Sequence, residues 1–92
     1  MRYANLLTDA VFSSNMTYQQ IVDKCKKRNV RISRSYLSKI CTGSMPPASD
    51  EINKALVDVL SPVSGLTYRE LAVAKYKEII PSEVLEALAS GM

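Results

Sequence analysis

The sequence contains no histidine and no tryptophan, a single phenylalanine, two cysteines and three glycines. Without histidine, a Cys/His zinc site and a Ser–His or Cys–His nucleophile are both excluded. Cys25 and Cys41 alone would make a poor zinc cage, so neither a metal nor a cofactor is expected. Both fall on apolar faces of predicted helices and are read as buried, reduced, structural thiols. There is no Gly-rich phosphate cradle and no carboxylate pair beside a partnered nucleophile, so the chain is not expected to be an enzyme. No apolar run approaches the ~18 residues that a membrane span needs. The opening residues Met1 to Asn5 lack the apolar stretch and small-residue cleavage site of a secretory leader. A cytoplasmic protein with no membrane partner is expected.

Acidic residues are missing from one region. Between Lys24 and Ser49 there is no Asp or Glu. Residues 1–45 carry eight basic groups against Asp9 and Asp23, whereas residues 46–92 carry four against seven acidic ones, so the formal net charge of +3 divides into +6 and −3. Such asymmetry suggests that one end of the molecule faces a polyanion.

What is present fits one small domain spanning residues 1–92. A chain of this size buries roughly 60–65% of its unfolded surface, enough for a single core. The 47% hydrophobic content argues against disorder. Six helices and no strand are read. Tyr3, Leu6, Leu7, Ala10 and Val11 make an apolar stripe from about Tyr3 to Phe12. Thr17-Tyr18-Gln19-Gln20 opens a second helix as a capping box, with Tyr18, Ile21, Val22 and Cys25 inward. Ser33 caps a third, in which Leu37, Ile40 and Cys41 share a face and Gly43 takes the left-handed stop. After Ser44-Met45-Pro46-Pro47, a fourth helix begins near Ala48–Asp50 and turns Ile52, Ala55, Leu56, Val59 and Leu60 inward. Ser61-Pro62-Val63-Ser64-Gly65 is expected to close it. A second capping box at Thr67-Tyr68-Arg69-Glu70 opens a fifth helix, expected to bury Leu71, Ala72, Tyr76 and Ile79. A short sixth follows Pro81, with Val84, Leu85 and Leu88 expected inside.

The second and third helices, over about residues 17–43, have the outline of a helix-turn-helix. The second member of such a pair must bury one face and offer short polar and cationic side chains on the other. Leu37 and Ile40 point in; Arg34, Ser35, Ser38, Lys39 and Thr42 point out. Arg and Lys can bond guanine O6 and N7, and small serines let a helix approach the bases.

Tyr36-Leu37-Ser38-Lys39-Ile40, then Gly43-Ser44, Pro46-Pro47 and an apolar helix ending Ala55-Leu56-Val57-Asp58-Val59-Leu60, resembles the lambda-repressor-like (Cro/Xre) DNA-binding domain over about residues 17–60. The stretch Leu66 to Tyr76 is more loosely similar to the helix that follows in mobile-element repressors of Gram-positive bacteria. The resemblance implies an all-α, compact five- to six-helix domain. The implied function is a sequence-specific regulator of transcription, a repressor of phage or mobile-element type. It would bind near-palindromic duplex DNA as a homodimer, cytoplasmic in a bacterial cell and on the nucleoid when bound. Base contacts are then expected from Arg34, Ser35, Ser38 and Lys39. Phosphate contacts are expected from Thr17, Gln19, Ser33, Tyr36, Thr42 and Ser44, and from the connection cations Lys26, Lys27, Arg28 and Arg31.

Two departures stand out. The connection 26–32 is longer than the family's tight turn and has no glycine, so either the second helix runs on by a turn or Asn29 takes the left-handed position. Lys75 also stands where a small residue is expected. A different class of function is a protein-interaction module on the same fold, an antirepressor or adaptor docking a partner through the acidic C-terminal helices at about 66–90. Those helices are alternatively a dimerisation element or a linker to a further domain.

Overall fold

The computed structural model describes residues 2–91, and among them it is all-helical. Six helices follow in order: α1 (Tyr3–Ser14), α2 (Tyr18–Lys26), α3 (Arg34–Thr42), α4 (Asp50–Ser64), α5 (Tyr68–Ile79) and α6 (Ser82–Ser90). Among the described residues no helix is long and apolar enough to cross a membrane.

Local chemistry sets most of the boundaries. The Thr17 and Thr67 capping boxes both form, each hydroxyl accepting from the amide three residues on while that residue's side chain accepts from the cap amide. Ser33 and Ser49 cap α3 and α4 through single hydroxyl acceptors. Each cap satisfies an amide with no partner inside its helix. At the other ends, Gly43 (φ +83°) and Gly65 (φ +75°) adopt the left-handed conformation that costs glycine nothing. Asn15 closes α1 in the same conformation, at φ +57°.

The core is a single cluster built around α4. Leu7 of α1, Ile21 and Cys25 of α2, Leu37 and Ile40 of α3, Leu56 and Leu60 of α4 and Leu71 of α5 are all fully buried. α1 and α4 both pack against α5, while α2 and α3 pack on each other. A buried polar network ties the first and fourth helices together. The Tyr3 hydroxyl donates to Asn53 Oδ1 and accepts from the Ala48 amide at 3.3 Å, while Asn53 Nδ2 donates to the Ala48 carbonyl at 3.0 Å. Desolvation drives the Tyr3 pKa well above that of a free tyrosine.

Three expectations need correction. α4 does not stop at Leu60 but continues through Pro62 to Ser64. Proline removes one amide donor, here close to the helix end, and Ser64 Oγ donates back to the Leu60 carbonyl at 2.7 Å. In α5 the buried residues are Leu71, Ala74 and Lys75; Ala72 and Tyr76 are half-buried and Ile79 is 48% exposed. The inner face of α5 therefore runs through Leu71, Ala74 and Lys75 at i, i+3 and i+4, and the Lys75 ammonium reaches out from it to Asp50 at 2.9 Å. In α6 no residue is buried: Val84 and Leu88 are exposed and Leu85 is only half-buried. Among the described residues none buries its amphipathic face.

Candidate nucleic-acid interface

α2 ends by a local device that the sequence left open. The Val30 amide donates to the Cys25 carbonyl at 3.1 Å and the Asn29 amide to the Lys26 carbonyl at 3.0 Å. Asn29 sits between them at φ +62°. This paired pattern is a Schellman motif with asparagine in the left-handed seat. The expanded turn with Asn29 left-handed is therefore the alternative realised. Residues 27–33 then run to the Ser33 cap, with Val30 and Ile32 packed against the core. Apolar anchoring of Val30 and Ile32 leaves Lys27, Arg28 and Arg31 exposed.

α3 is fixed from three sides. Leu37, Ile40 and Cys41 lock its inner face. Ser33 Oγ accepts from the Tyr36 amide at 2.9 Å and orders the first turn. At the far end, Thr8 Oγ1 on α1 donates to the Cys41 carbonyl at 2.7 Å, and the Ser44 amide closes onto the Lys39 carbonyl at 2.9 Å. Both thiols are free and buried. Burial pushes the Cys25 and Cys41 pKa values up, opposed weakly by Arg28 at Cys25 and by hydrogen bonds from Tyr18 and Thr8 at Cys41.

On the outer face, Arg34, Ser35 and Lys39 are exposed. Among the described residues the one salt bridge joins Lys75 and Asp50, so neither Arg34 nor Lys39 is neutralised internally. Ser38 is half-buried and sits at the edge of this face. Tyr36 is also half-buried, packed against the core, so its ring serves packing. Thr42 and Ser44 are exposed, their hydroxyls 3.0 Å apart, with Thr42 Oγ1 also donating to the Lys39 carbonyl at 3.2 Å.

The helix N-termini are less open than the sequence suggested. The Thr17 amide is taken by Gln20 Oε1 at 2.8 Å, and Thr17 Oγ1 accepts from Gln20. Only the hydroxyl proton of Thr17 stays free to donate. Gln19 Nε2 donates one of its two protons to Asp23 Oδ1 at 2.9 Å, so a phosphate at Gln19 would meet a carboxylate beside it. Arg28 folds back on α2, donating to the Lys24 carbonyl at 3.3 Å.

The candidate base-contacting side chains Arg34, Ser35 and Lys39 therefore share the outer face of one helix, with Ser38 at its edge. Thr42 and Ser44 lie at the C-terminal end of α3, and Lys26, Lys27, Arg28 and Arg31 in and before the connection. The Lys75–Asp50–Tyr76 cluster on α4 and α5 escaped sequence reading, because its partners lie 25 and 26 residues apart. The only hint was a lysine in an otherwise small-residue position. No protein-family model, curated protein or solved structure matches this chain.

Proposed function

We propose that this protein binds duplex DNA sequence-specifically as a transcriptional regulator of repressor type, with α2 and α3 acting as a helix-turn-helix and α3 reading the major groove. The observation that carries this reading is the outer face of α3. It holds two exposed cations free of internal ion pairs, with small hydroxyls beside them, in a segment free of acid from Lys24 to Ser49. A helix whose outer face only needed solubility would ordinarily mix Glu with Lys. A face meeting phosphates has to exclude carboxylates except where one reads cytosine.

The likeness of Tyr36 to Leu60 to the lambda-repressor-like family supports the same reading. Rigidity supports it too, since base readout needs a reader whose side chains leave from a fixed axis. Capping by Ser33, the Thr8 bond to the α3 C-terminus and three buried side chains supply that. Cations at Lys26, Lys27, Arg28 and Arg31 would hold flanking phosphates, which position the protein without specifying sequence.

The test is selection of bound duplexes from a random pool, followed by gel shift on the selected site. A regulator yields an enriched sequence, and Arg34→Ala with Lys39→Ala together abolishes its preference. An interaction module on the same fold yields no enrichment and no binding to random duplex even at low salt.

A further inference from the structure

We infer that α3 specifies two guanines on opposite strands of its DNA site, about two base pairs apart, through Arg34 on one flank and Lys39 on the other. The inference rests on the helix-turn-helix reading above and adds to it which bases are read.

Position on the helix gives the geometry. Lys39 follows Arg34 by five residues on α3. At ~100° and ~1.5 Å per residue, the two stand about 140° apart around the axis and roughly 7.5 Å apart along it. Ser35 falls between them in phase, and all three are exposed. Leu37, Ile40 and Cys41 are held in the core on the other side, so this phase cannot drift. A helix lying along a major groove about 12 Å wide turns one flank to each strand. Arg34 and Lys39 therefore reach toward opposite strands. Bases follow one another at ~3.4 Å, so roughly 7.5 Å of helix covers about two steps. The site accordingly holds a G and a C in either order on one strand, with one freely chosen base pair between them.

Side-chain chemistry gives the bases. In the major groove Arg and Lys pair with guanine O6 and N7, Asn and Gln with adenine, a carboxylate with cytosine, and an apolar group with the thymine methyl. α3 contains no Asn, Gln, Asp or Glu. Both glutamines of α2 are engaged, Gln19 Nε2 by Asp23 Oδ1 at 2.9 Å and Gln20 Oε1 by the Thr17 amide at 2.8 Å. Tyr36 and Leu37, the apolar side chains between the two cations, pack against the core. The Ser35 hydroxyl both donates and accepts, so it discriminates little. Guanine is what remains. Among the described residues neither Arg34 nor Lys39 enters a salt bridge or stacks on an aromatic ring. Arg34 also opens a first turn that has no acidic residue. A cation there opposes the helix dipole, so local helix stability does not account for it.

Selection of duplexes from a random pool by the full 92-residue chain, followed by titration of the selected site, tests this. Each conserved guanine is replaced in turn by deazaguanine, which has carbon in place of N7. Each replacement should weaken wild-type binding about fivefold or more. Arg34→Ala should be indifferent to the replacement on one strand only, and Lys39→Ala to that on the other only. Reselection with Arg34→Gln should exchange one guanine for adenine, since glutamine pairs with adenine N6 and N7. Both side chains are exposed, so circular dichroism should show unchanged helix content in every variant. An enriched site without the two guanines, with both on one strand, or with both still sensitive in each alanine variant overturns the inference and leaves the helix-turn-helix reading standing. A pool that yields no enriched sequence overturns that reading itself, and the inference with it.

Discussion

Lys75 Nζ lies 2.9 Å from Asp50 Oδ1, and the other oxygen of the same carboxylate accepts from the Tyr76 hydroxyl at 2.7 Å. The lysine is buried, while Asp50 is 49% exposed at the first turn of α4. Its long stem packs inside and its ammonium emerges at the carboxylate, so one side chain serves both core and surface. The pair pins α5 to the start of α4, and the positive end of α4 also favours Asp50.

Removing only the carboxylate should therefore do more harm than removing both charges. Asp50→Asn is expected to lower the urea midpoint modestly, because it leaves the Lys75 ammonium, whose stem is held in the core, without its counter-charge. Lys75→Met with Asp50→Asn should recover most of that loss, since methionine refills the space of the stem. Equal damage from the single and double variants would refute the arrangement.

The pH dependence follows in sign from the same site. Hydrogen bonds from Lys75 and Tyr76 hold the Asp50 carboxyl below its ordinary value of 3.8. A depressed folded value gives stability that is present above the unfolded value and lost as pH falls through the folded one. The difference in unfolding free energy between the wild type and Asp50→Asn should thus be constant near neutrality and shrink below about pH 4. At the alkaline end burial raises Cys25 and Cys41 above 9.0 and Tyr3 above 10.0. Their contributions are complete below those values and decline as pH climbs through the raised folded ones. In the native protein both thiols should react with thiol reagents only as fast as the chain opens.

The two left-handed seats flanking α3 behave differently on substitution. Gly43→Ala should cost about 1–2 kcal/mol from backbone strain alone, because its nearest new neighbour, Ala4 Cβ, is a comfortable 3.9 Å away. Asn29→Ala should lose on the order of 1 kcal/mol, whereas Asn29→Gly should be neutral or mildly stabilising. Urea denaturation distinguishes these outcomes.

Tyr3→Phe tests the buried network. It keeps the ring but strands Asn53 Oδ1 and the Ala48 amide, for an expected loss of about 1–3 kcal/mol. A neutral result would mean that water takes the hydroxyl's place.

If α3 reads DNA as proposed, two kinds of variant should separate cleanly. Arg34→Ala and Lys39→Ala should each cost ~1–3 kcal/mol on the selected site and relax one base position. Lys27→Ala and Arg31→Ala should weaken all sequences alike, each lowering the slope of log K against log salt by ~0.9. Titrations of specific and random duplex at several salt concentrations measure both.

Features decided within a few residues were legible in the chain alone. Thr17, Ser33 and Thr67 announce helix starts because a cap joins residues three apart. Leu37, Ile40 and Cys41 announce the inner face of α3 because burial repeats with the helical period. The exposed Arg34, Ser35 and Lys39 follow from that same phase. Tertiary packing decided the remainder. Which side of α5 is inside was not readable from its own apolar residues, and the contact of Lys75 with Asp50 spans 25 residues that no periodicity connects. Tyr3 and Asn53 meet across fifty residues. α6 carries an apolar stripe, yet none of its residues is buried among the described ones, since amphipathicity records a helix's need for a partner and not where that partner lies.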